Sequence, residues 1–387
     1  MSVTAPAGFD AAGVTAGLKA SGRPDVAVVV NTGPLDVAAA VFTSNRVVAA
    51  PVVWSREVVA SGSARAVVLN SGGANACTGA PGLRDTQTTA EYVAEQIGVP
   101  PREVLVCSTG LIGELLPMGR LLPGVRQALD AAHDDGGPDA AEAILTTDTV
   151  AKQAVQIRGG WSVGGMAKGA GMLAPGLATM LVVLTTDAVV DSELADSALR
   201  EAVRTTFNRI DSDGCMSTND TVILMASGAS GNAPGSEQEF TEALRAACAD
   251  LARQLIADAE GASHDIAVTV QGATTEDAAV AVARAITSSN LFKAAVFGND
   301  PNWGRVLAAA GTVPEDVAPY DPDALDVWMN GVQVARAGGV GEDRTTVDLT
   351  DREVSVVVDL HAGDARATVW TNDLTHDYVH ENSAYST

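Results

Sequence analysis

Residues 164–187 read GGMAKGAGMLAPGLATMLVVLTTD, and they force an abrupt change of structure at one point. Glycine and other small residues dominate as far as Pro175-Gly176. From Met180 the chain becomes an apolar, β-branched run that suits a buried strand. The pattern predicts a flexible loop, carrying Lys168, that delivers Ala178 and Thr179 to the first position of that strand. A threonine so placed can attack the peptide bond before it, free its own amine and then use that amine as its base. An α-amine has a reference pKa of about 7.7–8.0, so roughly a tenth is unprotonated at neutral pH. The same letters also fit a plain glycine turn before a core strand, with Thr179 chosen for β propensity.

Two other motifs fail on context. Gly169-Ala170-Gly171-Met172-Leu173-Ala174 fits the loose dinucleotide pattern, but a proline and a strand follow where a helix is required. Lys168 is not a Walker lysine, because Gly169 stands where serine or threonine is needed. The formal net charge of −24 argues against a phosphate-backbone partner. The opening MSVTAPAGFD lacks a basic and then apolar leader, and no apolar stretch approaches a membrane span. Four cysteines, Cys77, Cys107, Cys215 and Cys248, form no CxxC pair; reduced and mostly buried thiols of a cytosolic protein are expected.

Strand-like runs recur at 25–31, 64–70, 102–108, 179–186, 219–227, 264–271, 325–335, 353–360 and 366–371. Helical patterns cover about 191–206, 236–259 and 275–288, the second opened by a capping box of Ser236 and Glu239. Without strict alternation of strand and helix, the class predicted is α+β rather than a doubly wound sheet. Segments 134–139 and 311–323 read as surface loops, and 300–305 as a turn feeding a helix. Cutting at Ala178–Thr179 gives residues 1–178 and 179–387. Strands occur in both pieces, so cleavage is expected after folding.

Several long segments together resemble one family. MAKGAGMLAPGLATML is similar to the self-cleavage segment of the ornithine acetyltransferase, or glutamate N-acetyltransferase, family of arginine biosynthesis. AAGVTAGLKASGRPDVAVVV, STGLIGELLPM, TTDT, FNRIDSDGCMSTNDT, FGNDPNWGRV and DLTHDYVHENSAYST resemble further family motifs, in the family's order and across essentially the whole chain. The resemblance implies a layered α/β/β/α-type sandwich related in mechanism to N-terminal-nucleophile hydrolases. It implies Thr179 as nucleophile, cleavage between Ala178 and Thr179, and an oxyanion hole of the Thr109 hydroxyl and the Gly110 N–H. Substrate-binding positions carry over to Thr146, Lys168, Thr179, Glu260, Asn382 and the terminal Thr387.

The chemistry of these residues fits those roles. Acyl transfer builds charge on a carbonyl oxygen, so hydrogen-bond donors must face it. A cation at Lys168 can pair with a substrate carboxylate, and Glu260, at the end of the long helix, can receive an amine. Many relatives read GEGATK where this chain has AEGASH at 259–264, so Ser263 and His264 replace threonine and lysine beside Glu260. His376 and His380 lie four apart, but Asp377 separates them from a zinc motif and no third ligand is evident.

The resemblance thus implies a cytosolic enzyme that passes acetyl from N-acetylornithine to glutamate by a ping-pong route through acetyl-Thr179, without a cofactor. Acetyl-CoA as a further donor stays open, since no phosphate-cradling motif settles it. Two copies of each piece are expected in a four-chain particle. Two alternatives remain: a threonine-dependent aminopeptidase or amidase, and an uncleaved binding protein. Primary rather than specialised metabolism is expected from FNRIDSDGCMSTNDT.

Overall fold

The computed structural model describes residues 2–174 and 180–384. The chain begins with β1 (Phe9–Val14), β2 (Val26–Asn31), β3 (Val37–Phe42), α1 (Ala50–Val59), β4 (Ala66–Ser71) and α2 (Gly79–Ile97). It continues through β5 (Val104–Thr109), α3 (Met118–Ala131), α4 (Gly137–Ala143), β6 (Lys152–Ile157) and β7 (Ser162–Lys168). Next come β8 (Leu181–Thr186), α5 (Ser192–Arg204), β9 (Thr221–Ala226), α6 (Glu237–Ala257), β10 (Asp265–Ala273) and α7 (Glu276–Thr287). Then follow α8 (Asn290–Phe297), α9 (Trp303–Ala310), β11 (Asp326–Met329), β12 (Val332–Arg336) and β13 (Gly339–Val340). β14 (Glu353–Asp359), β15 (Ala365–Asn372) and α10 (His376–Ala384) complete the described chain.

These strands form three sheets, ordered β1-β2-β4-β5, β3-β9-β8-β7-β6 and β13-β12-β11-β14-β10-β15. Period-2 alternation sorts the middle sheet's side chains into two cores. Leu181 and Val183 of β8 join the core of the four-stranded sheet, whereas Val182 and Leu184 face the opposite way. That opposite face is covered by α5 and α6, whose Leu199, Val203, Leu244 and Leu251 are fully buried against it. A third core lies between the six-stranded sheet and α7 to α9. The predicted α+β class and layered packing are thus observed.

Caps appear where the sequence placed them. Ser236 Oγ accepts the Glu239 N–H at 3.1 Å, while Glu239 Oε2 accepts from Gly235 N at 2.7 Å, fixing the start of α6. The run 325–335 is not one strand but a hairpin, because Asn330 and Gly331 both take positive φ (44° and 86°) and turn the chain between β11 and β12. Segment 134–139 is only partly loop, since α4 begins at Gly137. Cys107 and Cys248 are buried, but Cys77 and Cys215 are exposed, so the thiols divide evenly.

The largest correction concerns the glycine-rich run. Gly164, Gly165 and Lys168 lie within β7, not in a loop. A Cβ on Gly165 would press on Leu184 at 2.9 Å and Leu251 at 3.0 Å. These glycines therefore allow close packing in a central strand rather than supplying flexibility.

The middle sheet takes β3, β6 and β7 from before position 175 and β8 and β9 from after position 179. β7 pairs antiparallel with β8, Lys168 opposite Leu181, and β3 pairs antiparallel with β9. Neither segment can complete this sheet alone. Residues 1–178 and 179–387 produced separately should therefore show no cooperative thermal melt by circular dichroism, and should regain one when co-produced. A sharp melt from either piece alone would contradict the interleaving.

Candidate active site

The ends of four strands from two sheets meet around Lys168. Lys168 closes β7, is 2% exposed, and donates from Nζ to Thr109 Oγ1 at 3.4 Å. Because the ammonium occupies a lone pair on that oxygen, the Thr109 hydroxyl keeps its own proton for another acceptor. Thr109 is the last residue of β5, and its carbonyl accepts from Gly72 N at 2.9 Å and Gly73 N at 3.0 Å. In a trans peptide the next N–H points away from that carbonyl. The Gly110 N–H is therefore turned outward, and among the described residues nothing accepts from it. Gly110 holds φ of 129°, and a Cβ there would sit 2.5 Å from Gly73 N. Only glycine fits the turn that presents these two donors.

Asp148 anchors Lys168 from behind. Its carboxylate lies 3.9 Å from Lys168 Nζ and accepts from Lys152 Nζ at 2.8 Å, Gly169 N at 2.6 Å and Thr146 N at 3.0 Å. Burial alone would push this carboxyl up. The two lysines, with the Lys152 and Gly169 hydrogen bonds, outweigh it and hold the pKa at about 2. Burial pushes the Lys168 ammonium down, opposed by Asp148, Glu260 and Asp220. Lys152 is also paired, to Asp258 at 2.6 Å.

The motif before β9 ties the oxyanion turn to the middle sheet. Asn219 Nδ2 donates to Ala74 O at 2.6 Å and to Ser108 O at 2.8 Å. Beside it, buried Asp220 accepts from Met180 N at 3.1 Å through Oδ1. Thus Lys168 on one side and Asp220 on the other flank the start of β8.

Glu260 lies three residues beyond α6, half-buried rather than at the helix end itself. Its N–H donates to Ala170 O at 2.9 Å, and its Oε2 accepts from Asn382 Nδ2 at 2.9 Å. It walls both a cavity of about 70 Å³, shared with Asp213, Lys293 and Tyr378, and an open cleft of about 480 Å³ beside Thr147 and Glu381. Burial pushes Asp213 up, although it accepts from Cys215 N and from Met172 N at 2.7 Å. Tyr378 is raised as well, by burial and then by Asp213, Cys215 and Glu260.

The structure therefore brings Thr109, Gly110, Thr146 and Lys168 together, with Glu260 and Asn382 joined through the 169–174 segment. Ala178, Thr179 and Thr387 lie outside the described residues. Sequence reasoning missed Asp148, Asn219, Asp220 and Asp213. Asp148 had a signal: it precedes Lys152 by four residues and sits inside TTDT. The others sat inside FNRIDSDGCMSTNDT without standing out. His264, which replaces a lysine, is buried between Asp373 Oδ2 at 2.7 Å and Leu349 O at 2.9 Å, so it braces the chain behind Glu260. His376 sets its ring edge-on to Phe297.

Comparison with known protein sequences extends over nearly the whole chain. A family model described as the ArgJ family matches residues 10–387. Arginine biosynthesis bifunctional protein ArgJ of Streptomyces coelicolor is 63% identical over 386 residues, covering 100% of each chain. The protein of the same name from Thermobifida fusca is 61% identical over 387 residues, again covering 100% of each. Among solved structures, ornithine acetyltransferase of Mycobacterium tuberculosis complexed with ornithine is 54% identical, with a TM-score of 0.45. That match covers 46% of this chain and 96% of the other.

Replacing Asp148 by asparagine should leave the buried Lys168 ammonium without its paired carboxylate, and Lys152 with Asp258 alone, and cost about 3–5 kcal/mol of stability at neutral pH. The sign follows from the depressed pKa. The contribution of Asp148 is present above 3.8 and disappears as pH falls through about 2. Denaturant melts across that window should show the wild type losing stability that Asp148→Asn has already lost. Equal melts at neutral pH would remove the anchor role.

Proposed function

The chain belongs to the ArgJ family, and from that membership we propose a self-processing acetyltransferase that moves acetyl from N-acetylornithine to glutamate in arginine biosynthesis. The observation that supports this most directly is the contact of Thr109 with Lys168, which lies across from the first residue of β8. A hydroxyl donor, a backbone N–H that has no acceptor among the described residues and a buried cation converge there, two residues from Thr179 along the chain.

In maturation the Thr179 hydroxyl attacks the carbonyl carbon of Ala178. The acyl group passes from nitrogen to oxygen, and water hydrolyses the ester. Thr179 then begins a new chain whose α-amine serves as its base. In turnover the same hydroxyl attacks the acetyl carbonyl of N-acetylornithine, and Thr109 and Gly110 stabilise the developing oxyanion. Ornithine leaves, glutamate enters, and its amine takes the acetyl from the threonine ester.

Lys168 receives the substrate α-carboxylate, supported by Thr146 and by Asn382 and Thr387 of the C-terminal segment. Glu260 receives the ornithine side-chain amine. No cofactor is needed for this route. The bifunctional name of the relatives supports acetyl-CoA as a second acetyl donor for glutamate. We place the enzyme in the cytosol as a particle of two 1–178 and two 179–387 chains.

Ornithine release from N-acetylornithine should depend on glutamate. Release at the same rate without glutamate would instead indicate an amidase that hands acetyl to water. Thr179→Ala should run as a single full-length band on a denaturing gel and transfer no acetyl. Two fragments from that variant would remove Thr179 as the cutting residue. Thr109→Ala should slow acetyl transfer by about a hundredfold or more, measured as kcat, and a wild-type kcat would take its hydroxyl out of the oxyanion hole.

A further inference from the structure

Lys19 is a half-buried lysine that the acetyl-transfer scheme leaves unused. It lies in the loop between β1 and β2, within the segment AAGVTAGLKASGRPDVAVVV. Its Nζ donates to Pro24 O at 2.8 Å and to Leu145 O, 126 residues away, at 2.6 Å. The residue after Leu145 is Thr146, which the acetyl-transfer scheme places at the substrate carboxylate.

One peptide group is thereby held at both ends. Leu145 O accepts from Lys19 Nζ, and the Thr146 N–H donates to Asp148 Oδ2 at 3.0 Å. In a trans peptide these two groups point opposite ways. An ammonium thus grips the negative end of the dipole and a carboxylate the positive end, both through charge-assisted bonds. Segment 145–148 belongs to no helix or strand, and among the described residues no backbone group bonds to either end of that peptide. Its tilt, and so the direction in which the Thr146 side chain leaves the backbone, depends on these two side chains.

The loop that carries Lys19 is itself fixed. Fully buried Asp25 accepts N–H groups from Ala16 at 2.6 Å, Leu18 at 2.5 Å and Lys19 at 3.1 Å. The Asp25 carbonyl accepts from Ser71 N at 2.9 Å, and a Cβ on Gly72 would lie 3.2 Å from Leu18. Gly72 in turn donates to the Thr109 carbonyl. The loop therefore spans from the oxyanion turn to segment 145–148. Burial and then Arg23 lower the Lys19 pKa to about 8, opposed by Asp25, with Lys168 and Asp148 acting on it as well. Most of it is charged at neutral pH.

We propose that Lys19 is a positioning residue for substrate binding: by fixing the Leu145–Thr146 peptide it aims the Thr146 side chain at the substrate carboxylate. This rests on the reading above, in which Thr146 supports Lys168 in holding that carboxylate. Lys19 touches no substrate in this role and acts through Thr146. A lysine that merely stapled the loop to Pro24 would matter to the same extent whether or not the Thr146 hydroxyl were present.

The test is a double-mutant cycle on the full chain, read as steady-state ornithine release from N-acetylornithine at saturating glutamate. Lys19→Met should raise the KM for N-acetylornithine about tenfold or more, with the smaller effect on kcat. Lys19→Arg should recover part of that loss. Added to Thr146→Ala, Lys19→Met should change KM by less than about twofold, because residues that act through one contact are not additive. A wild-type KM in Lys19→Met, or the same fold-change with and without Thr146→Ala, overturns the proposal. Where Lys19→Met fails to melt cooperatively, Lys19→Gln, uncharged and one bond shorter, runs through the same cycle and is judged by the same two outcomes. Thr146→Ala with a wild-type KM, or a wild-type chain that releases no ornithine, sinks the underlying reading instead.

Discussion

The site depends on one buried carboxylate. Asp148 is held between Lys168 and Lys152, and Lys152 reaches on to Asp258 just beyond α6. Two ammoniums and a carboxylate removed from water are costly, and only close pairing with further hydrogen bonds repays that cost. Gly169 and Thr146 supply those bonds through their N–H groups. Lys168 is thereby fixed at the mouth of β7 with its ammonium on Thr109, and the turn that presents the Gly110 N–H stays in register with the middle sheet. Such a network resists substitution more than it adds net stability.

A second constraint is topological. The start of β8 is clamped by β7 on one edge and β9 on the other, antiparallel to the first and parallel to the second. Parallel pairing in a central position needs long connections and completes only when most of the chain is in place. A cut made before folding would separate β3, β6 and β7 from the strands they must pair with. A cut made afterwards leaves every ladder intact. The interleaved sheet therefore favours a cut made in the folded state over one made before folding.

Much of this was legible in the sequence, and the failures have physical causes. The runs that became β2, β4, β5, β8 and β9 stood out because strands buried on both faces are apolar throughout, and β10, β14 and β15 because apolar residues alternate along them. α5 and α7 showed through their periodicity, and α6 through its capping box as well. β1, β3 and β7 did not, because alanine and glycine carry little β propensity and reveal a strand only through the neighbours they let approach. Thr109 and Gly110 could be placed at a strand end from STG alone. The partners that position them were harder to see: Asp148 showed only in its spacing to Lys152, and Asn219 acts through contacts more than a hundred residues away, which no local pattern encodes.

The arrangement of charge around β8 also bears on the nucleophile. A threonine that uses its own amine as base needs that amine unprotonated near neutral pH, and its reference pKa lies slightly above that. A nearby cation disfavours the ammonium form, whereas a nearby carboxylate favours it. Lys168, buried at the end of β7 opposite Leu181, would exert the first effect on such an amine. Asp220 would exert the second if it were ionised, and its burial disfavours the ionised form.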